Sequence, residues 1–447
     1  MSGRMSQRGG DAAFEGSLTP NEKILRDVHQ LYVDEDNGLV NIARSFAIDL
    51  LAPRKKITVL LIGNHSAGKS SFINWYIEEH ILKTGVAIET QGFTFVTSGR
   101  KRESLQGNAS LHLNPYFKPL QEIPGVIENL STEISTSRNK KFTLVNFLDT
   151  PGLTDGDMKY GFDVDQAILW LGKIADLIFV FFDPIGQALC KRTLNIVEEL
   201  SEIRPERMRF YLSKADEAGP ESDRQKVLIQ IAQELCKRPS LNKAGFEMPT
   251  IYVPGPNTKS TRCVNQIEDV CKDIEKTINL TIQNTLDQLD KDCDIILDQV
   301  QHKLDKDGEV KSRNSSANFR AYFLWTLSFL PLVLWGSCAL DAFLTKKTIV
   351  TVIPLDYYTM IEKIYLIPTR SMISNVIADY NLMAACVAVC IVLFLLGAFI
   401  GRSKPTLKRK QIKDLNNKRN FILENVKPKK DKYYQFYLKQ CVSHHDN

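Results

Sequence analysis

A glycine-rich loop carries the first chemistry in the sequence. Residues 63–71 read Gly-Asn-His-Ser-Ala-Gly-Lys-Ser-Ser and fit the pattern G-x-x-x-x-G-K-[ST]. Backbone N–H groups of such a loop hold phosphate oxygens, its lysine neutralises phosphate charge, and its serine hydroxyl ligates Mg²⁺. We therefore expect Mg²⁺ as cofactor and nucleotide binding by Gly63, Asn64, His65, Ser66, Ala67, Gly68, Lys69, Ser70 and Ser71.

Two later segments supply the other groups that a nucleotide needs. Asp149 ends an apolar run and begins Asp-Thr-Pro-Gly, so its carboxylate can hold Mg²⁺ beside Ser70, while the Gly152 N–H can sense the γ-phosphate. A further run ends in Ser213-Lys214-Ala215-Asp216. Asp216 could accept the N–H donors of guanine, and Lys214 could pack over the base beside Ser213.

Buried strands alternating with helices must position these groups. Residues 57–62 form a continuous apolar run, typical of a strand buried on both faces, and further runs follow at 142–148, 177–182, 209–212 and 250–253. Helical periodicity separates them, as at 164–174. The fold class predicted is α/β, a doubly wound and mostly parallel sheet.

The three motifs in this order resemble the dynamin superfamily, and within it the EHD/sarcalumenin group. The resemblance includes Gly-Lys-Ser-Ser, residues 149–152, Tyr-Gly-Phe-Asp at 160–163 and Ala-Asp-Leu-Ile at 175–178. It implies a dynamin-type P-loop domain that dimerises across its nucleotide face, with flanking helices that relay hydrolysis to membrane shape. The implied catalytic residues are Ser66, Lys69, His65 and Thr94.

The sequence departs from this group at three points. Asn64 and His65 stand where the group carries Gln, and His65 either replaces that Gln or is a solvated loop residue. Thr90 and Thr94 compete for the Mg²⁺-facing role in switch I. Ser213 replaces the usual Asn of the guanine motif, which favours GTP through Asp216, although the EHD group uses ATP.

Periodicity outside this domain predicts helices and a membrane hairpin, similar to that of atlastins. Apolar residues recur at helical spacing before the domain and from 263 to 307, and two stretches, 321–340 and 382–400, are long and uncharged enough for a bilayer ~30 Å thick. The predicted segments are a disordered N-terminus (1–18), N-terminal stalk helices (19–54), the nucleotidase domain (55–258), a helical stalk (259–318), two transmembrane helices (319–344 and 380–401) joined by a loop (345–379), and a basic tail (402–447).

Charge sets the predicted topology. Residues 402–432 hold twelve Lys/Arg against three Asp/Glu, and basic flanks face the cytosol, so both termini are predicted to be cytosolic. A multi-pass membrane protein is expected, in the endoplasmic reticulum in preference to the mitochondrial outer membrane or endosome. The tail, with Tyr433, Tyr434, Phe436 and Tyr437, suits a lipid interface or is solvated and disordered. Nucleic acid is not expected as a partner.

Two functions of different classes fit the sequence. The first is a GTPase that couples nucleotide-dependent dimerisation to membrane remodelling, tethering or fusion. The second is a membrane-tethered switch or scaffold that binds GTP or ATP and hydrolyses it slowly. A P-loop kinase fits less well, because no substrate lid or acceptor base is evident. Nine cysteines without metal-site spacing predict neither a zinc site nor a disulfide framework.

Overall fold

The fold is taken from a computed structural model that describes residues 18–85, 92–155, 160–185, 189–244, 247–255, 263–343, 355–361, 363–364, 367, 371 and 380–443. Residues 1–17 of the predicted disordered N-terminus, Thr90, and most of the predicted loop 345–379 lie outside this part of the chain. The chain divides into two compact units, Met1–Cys293 with Glu424–Asn447, and Asp294–Leu423.

A seven-stranded mixed sheet forms the centre of the first unit. Its order is β3-β4-β2-β5-β1-β6-β7, with β2–β5 and β3–β4 antiparallel and the other pairs parallel. All residues of β1 and β6 are buried, as their continuous apolar sequences predict. The strands are β1 (Ile57–Gly63), β2 (Phe93–Ser98), β3 (Glu103–Gln106), β4 (Leu130–Ser135), β5 (Val145–Asp149), β6 (Leu177–Phe182) and β7 (Met208–Leu212).

Helices flank this sheet, and they are α1 (Pro20–Val33), α2 (Leu39–Arg44), α3 (Lys69–Ile77), α4 (Asn108–Leu113), α5 (Val164–Ile174), α6 (Lys191–Ile203), α7 (Glu221–Cys236) and α8 (Pro239–Ala244). Thr19 caps α1 through a capping box with Glu22, as expected of an N-cap threonine. The predicted second N-terminal helix ends earlier than its apolar pattern, at Arg44. The predicted strand at 250–253 is only a single bridge between Thr250 and Leu212.

The two chain ends of the first unit meet in a helical bundle. Helix α9 (Ile267–Phe343) is far longer than the predicted stalk, and the division between units falls within it. The buried Tyr32 hydroxyl of α1 donates to Asp292 Oδ2 of α9 at 2.7 Å. The stripe predicted from helical spacing is buried, including Ile274, Ile278 and Ile282.

The C-terminal part of the predicted basic tail packs in this bundle, which differs from the disordered tail that was one of the two interpretations of its sequence. Residues Lys427–Ser443 form a helix, α13 in chain order. The Tyr433 hydroxyl donates to Asp27 Oδ2 at 3.1 Å, and Tyr437 is only 3% exposed and accepts a hydrogen bond from Gln283 Nε2 at 3.0 Å. Tyr433 and Tyr437 are therefore packing residues of the bundle, whereas Phe436 is exposed.

In the second unit the end of α9 pairs with α11 (Tyr380–Ile400). Trp325 stacks on Phe394 with ring centroids 6.1 Å apart, and the Ser328 hydroxyl donates to the Cys390 carbonyl at 2.8 Å. A Cβ on Gly397 would lie 2.7 Å from Trp325 Cδ1, so glycine is needed for this close approach. The remaining helices are α10 (Leu355–Ile361) and α12 (Arg409–Phe421), with a π-helical turn at Ile422–Val426 before α13.

The largest difference between the structure and the sequence prediction concerns the two transmembrane helices. Within the described part of the chain, no helix combines the length and the apolarity that crossing a bilayer requires. The predicted multi-pass location, with its two spans and its placement in an organelle membrane, is therefore wrong.

Candidate nucleotide-binding site

The glycine-rich loop joins the end of β1 to the start of α3. Gly68 has φ +83° and Ser66 has φ +60°, which place both residues in the left-handed region. A loop turned in this way directs successive backbone N–H groups to one side, where they join the free N–H groups of the first turn of α3. The local structure is thus an anion-binding loop at a helix N-terminus.

Lys69 is a buried cation of this loop. Its side chain is 6% exposed, and Nζ donates to the Gly63 and Asn64 carbonyls, both at 3.1 Å. Burial lowers the pKa of Lys69 to about 8, although the nearby Asp149 charge opposes that shift. An ammonium held mainly by neutral carbonyls can gain free energy from an approaching phosphate.

Ser70 and Asp149 meet beside Lys69. The Ser70 hydroxyl donates to Asp149 Oδ2 at 2.5 Å, whereas Asp149 Oδ1 is buried and has no hydrogen-bond partner among the described residues. Burial raises the pKa of Asp149, while Lys69 and the Ser70 hydroxyl lower it. A buried carboxylate oxygen without a partner, next to a serine hydroxyl, is a donor set that fits Mg²⁺.

The segment that follows Asp149 lies directly against the loop. The His65 N–H donates to the Leu153 carbonyl at 3.1 Å, and the Leu153 N–H donates to the Gly63 carbonyl at 3.2 Å. A Cβ on Gly152 would stand 2.6 Å from His65 Cα, closer than real Cβ contacts come. Only glycine therefore allows these two segments to touch.

One cavity brings together most of the residues predicted for the phosphate side. Lys83, an exposed lysine that was not among the predicted site residues, lines this cavity with Thr84 and Gly85. No motif marks Lys83, since it only follows α3 in a loop. The other lining residues are His65, Ser66, Ala67, Gly68, Lys69, Ser70, Ser71, Gly152 and Lys214.

The predicted base-binding residues are only partly in this cavity. Lys214 lines it and lies 3.6 Å from Asp183 Oδ2, measured from Nζ, so a buried carboxylate holds the lysine at the cavity wall. Ser213 is buried and its hydroxyl donates to the Phe182 carbonyl at 3.1 Å. Asp216 is half-buried, lies outside the cavity wall, and makes no hydrogen bond or ion pair within the described residues.

Of the two switch I threonines, only Thr94 can be located. It lies within β2, opposite Asp149 of β5, and its hydroxyl is 2.9 Å from the Ser131 hydroxyl. Thr94 and Asp149 line a second cavity, which also includes Lys83. Strand pairing thus holds Thr94 near Asp149, while Thr90 lies outside the described residues.

Helix α6 contributes contacts that sequence reasoning did not identify. The Thr193 hydroxyl donates to Asn64 Oδ1 at 2.5 Å, so the Asn64 side chain bonds to α6 while its carbonyl bonds to Lys69. Asp155 accepts hydrogen bonds from the Lys191 and Arg192 N–H groups at 2.8 and 3.0 Å, which caps α6. The only signal in the sequence was the polar Thr193 in the first turn of α6.

Comparison with known proteins agrees with this geometry. Residues 59–227 match the model of the Dynamin family. EH domain-containing protein 3 of Homo sapiens is 27% identical over 175 residues, covering 36% of this chain and 31% of that protein. EH domain-containing protein 2 of Rattus norvegicus is 28% identical over 174 residues, covering 36% and 30%. The chain thus spans about a third of the length of these relatives.

Solved structures give weaker likenesses. A structure of an oligomerised bacterial dynamin pair, reported as a mechanism for long-range sensing and tethering of membranes, has TM-score 0.41 and 13% identity, covering 96% of this chain and 80% of that one. Toc33 of Arabidopsis thaliana has TM-score 0.29 and 14% identity, covering 54% and 90%. By sequence, residues 59–227 are therefore similar to the nucleotidase domain of the Dynamin family, whose members are GTPases.

Proposed function

We propose that this chain binds Mg²⁺·GTP at the loop of residues 63–71 and hydrolyses it to GDP and phosphate. The observation that carries the proposal is the cluster of Lys69, Ser70 and Asp149 at an anion-binding loop. In it a buried lysine lies near a carboxylate oxygen that has no hydrogen-bond partner among the described residues. When bound, Mg²⁺ would neutralise charge on the phosphate oxygens. Ser70 and Asp149 would hold it.

The remaining residues take roles that follow from their positions. Lys69 exchanges its carbonyl partners for phosphate oxygens, and its charge stabilises negative charge that develops during phosphoryl transfer. The backbone from Ser66 to Ser70 supplies N–H donors. His65 lies in the cavity wall against Gly152, where it can orient a water molecule or close the partner face of a dimer. Lys83 adds a second cation at the entrance.

We propose GTP as the nucleotide, with ATP as the alternative. Asp216 has no partner among the described residues, so its carboxylate is available for the two N–H donors on the edge of guanine, whereas adenine lacks them. Lys214, held by Asp183, would pack its aliphatic stem over the base.

A lipid surface is the second partner we propose. The paired ends of α9 and α11 expose large apolar side chains, among them Phe323, which is 63% exposed, and Phe399, which is 70% exposed. Apolar patches of this kind mark interaction surfaces. Exposed basic residues of the same unit, including Arg402 and Lys408, suit anionic headgroups. Nucleotide-dependent pairing of G domains would couple hydrolysis to this surface.

The test is nucleotide turnover by the full chain, with GTP and ATP compared over a series of protein concentrations. GTP turnover per molecule that rises with protein concentration, needs Mg²⁺ and is lost in Lys69→Ala supports a GTPase that works as a dimer. The loss should be at least ~100-fold, because one lost transition-state contact already costs that much.

One control variant and two contrary outcomes complete this test. Lys173→Glu changes an exposed lysine of α5 away from the site and should leave turnover unchanged. Tight GTP binding with flat, negligible turnover would contradict hydrolysis as the function and would favour the slow switch or scaffold. A preference for ATP would overturn the proposed role of Asp216.

A further inference from the structure

A further cavity lies at the other end of β1 from the nucleotide-binding loop. Its volume is about 410 Å³, and it includes Thr58 of β1, Thr97 and Ser98 of β2, and Asn146 of β5. Thr58 stands at the start of β1, and the glycine-rich loop follows its end. At ~3.3 Å per residue, the strand separates the two sites by roughly 20 Å. The proposed nucleotidase does not use this cavity.

The ionisable side chains described in the wall of this cavity are all basic. Five basic side chains line it, from α1, from the segment before β1, and from α4: His29, Arg54, Lys55, Lys56 and His112. No Asp or Glu is among the described residues that line it. A concave surface with several cations and no carboxylate concentrates positive potential, which attracts anions.

Lys56 is a half-buried lysine of this cavity whose ammonium is held by three hydrogen bonds. Its Nζ donates to Thr97 Oγ1 at 2.8 Å, to the Ser98 carbonyl at 2.8 Å and to Ser98 Oγ at 2.7 Å. All three partners are neutral oxygens, and the pKa of Lys56 falls to about 8 through burial, while the more distant Glu22 charge opposes that shift. A desolvated cation with neutral partners is stabilised when an anion approaches.

The other basic side chains differ in whether they are free to contact a bound anion. Arg54 is committed to a structural ion pair, since its guanidinium lies 2.7 Å from Asp176 and donates to the Thr58 hydroxyl. Lys55 and His112 are exposed at the rim, and neither makes a hydrogen bond or ion pair with the residues that the structure describes. These two side chains can turn toward a bound group without breaking a contact.

We propose that this cavity, which we call the basic pocket, binds a phosphate-bearing anion. Lys55 and His112 would contact phosphate oxygens, and the charge of Lys56 would supply the attraction from below. Phosphate suits this set, because lysine ammonium groups act toward it as point charges and need no single geometry. The phosphate could belong to a soluble molecule or to a lipid headgroup.

The binding test uses the full chain and two probes. Inositol 1,4,5-trisphosphate is titrated calorimetrically in excess GDP, and phosphatidylcholine vesicles with or without phosphatidylinositol 4,5-bisphosphate are co-sedimented with the protein. The variant Lys55→Glu/His112→Glu reverses charge at two exposed positions, so folding should be retained. Lys173→Glu makes a similar exposed change elsewhere and is the matched control.

We expect the double variant to weaken binding of the trisphosphate at least tenfold and Lys173→Glu to leave it unchanged. Capture by phosphoinositide vesicles that the same variant removes would identify a headgroup as the source. Trisphosphate binding without vesicle capture would identify a soluble phosphate. Absence of binding to both probes would overturn the proposal, as would binding that Lys69→Ala abolishes and the double variant leaves intact. Nucleotide turnover measured in parallel separates this outcome from failure of the proposed GTPase activity.

Discussion

At the scale of single residues, the distinctive group is Asp149, which is 1% exposed. Its Oδ2 accepts a hydrogen bond from the Ser70 hydroxyl, and its Oδ1 has no hydrogen-bond partner among the described residues, so the carboxylate is incompletely satisfied by the protein. Such a group is costly to bury and persists in proteins where it serves a ligand. We therefore expect the effect of Mg²⁺ on nucleotide binding to depend on this side chain.

The first prediction is that Asp149→Asn uncouples nucleotide binding from Mg²⁺. The amide keeps the size of the carboxylate and can still accept from Ser70, but it lacks the charge that attracts the metal. Mg²⁺-dependent tightening of GTP binding should fall about 10- to 100-fold, a range typical of lost metal-supporting groups. Titration of a fluorescent GTP analogue with and without Mg²⁺ measures it.

Asp183→Asn is the control for this prediction, because Asp183 is also buried but pairs with Lys214 on the base side. It should change nucleotide affinity without changing the response to Mg²⁺. Equal Mg²⁺ responses in Asp149→Asn and the unmodified chain would contradict a metal role for Asp149.

The second prediction concerns the contact between Gly152 and the loop. Gly152→Ala places a Cβ 2.6 Å from His65 Cα and 3.0 Å from its nitrogen, so one backbone segment must move. We expect the free energy of unfolding to fall by about 1–3 kcal/mol, as in other overpacked sites. GTP affinity should fall as well, because the loop shifts. Chemical denaturation and nucleotide titration test both effects.

Gly161→Ala is the matched change for Gly152→Ala. Its Cβ would meet only the Asn129 side chain, at an ordinary 3.5 Å, so little should change. If both variants were equally stable and bound GTP equally well, the close approach of the two segments would be of no consequence.

At the scale of secondary structure, the bundle of α1, α9 and α13 depends on a few buried polar contacts. The third prediction is that Tyr32→Phe lowers the free energy of unfolding by about 1–3 kcal/mol, because Asp292 Oδ2 loses its hydroxyl donor in a buried position. Burial and Asp292 both raise the pKa of Tyr32, so its hydroxyl stays a donor.

Thermal unfolding of Tyr434→Phe provides the comparison for Tyr32→Phe. The Tyr434 hydroxyl makes no hydrogen bond within the described residues, so its removal should be nearly neutral. An unchanged stability of Tyr32→Phe would show that the Tyr32–Asp292 contact contributes little to joining the two ends of the chain.

The sequence predicted those elements that are determined by residues close together in the chain. The loop at 63–71, the apolar β1 and β6, and the cap at Thr19 were foreseeable, because each depends on neighbours in sequence. Strands β3 and β4 were not, since their polar residues fit several structures until they pair. The Thr193–Asn64 contact and the packing of Tyr437 join residues far apart in the chain, so no local period records them.

At the scale of the whole molecule, the three proposed sites differ in chemistry and lie in different parts of the chain. The nucleotide site and the basic pocket belong to the first unit, and the exposed apolar pair of α9 and α11 belongs to the second. We therefore expect substitutions in one unit to leave the activity of the other unit intact. Changes in the apolar pair should affect lipid binding and leave basal nucleotide turnover intact.

The fourth prediction is that Phe323→Glu/Phe399→Glu removes vesicle binding. Both rings are mostly exposed, so charge should be tolerated in the fold, but burying a charged carboxylate in lipid is strongly unfavourable. Co-sedimentation with vesicles of phosphatidylcholine and phosphatidylserine should fall at least tenfold, at both low and high salt, because the apolar contribution is not screened. Leu51→Glu, at a residue 78% exposed in the first unit, should bind like the unmodified chain. Retained binding by the double variant would mean that basic residues alone hold the chain to lipid, in which case high salt should release it.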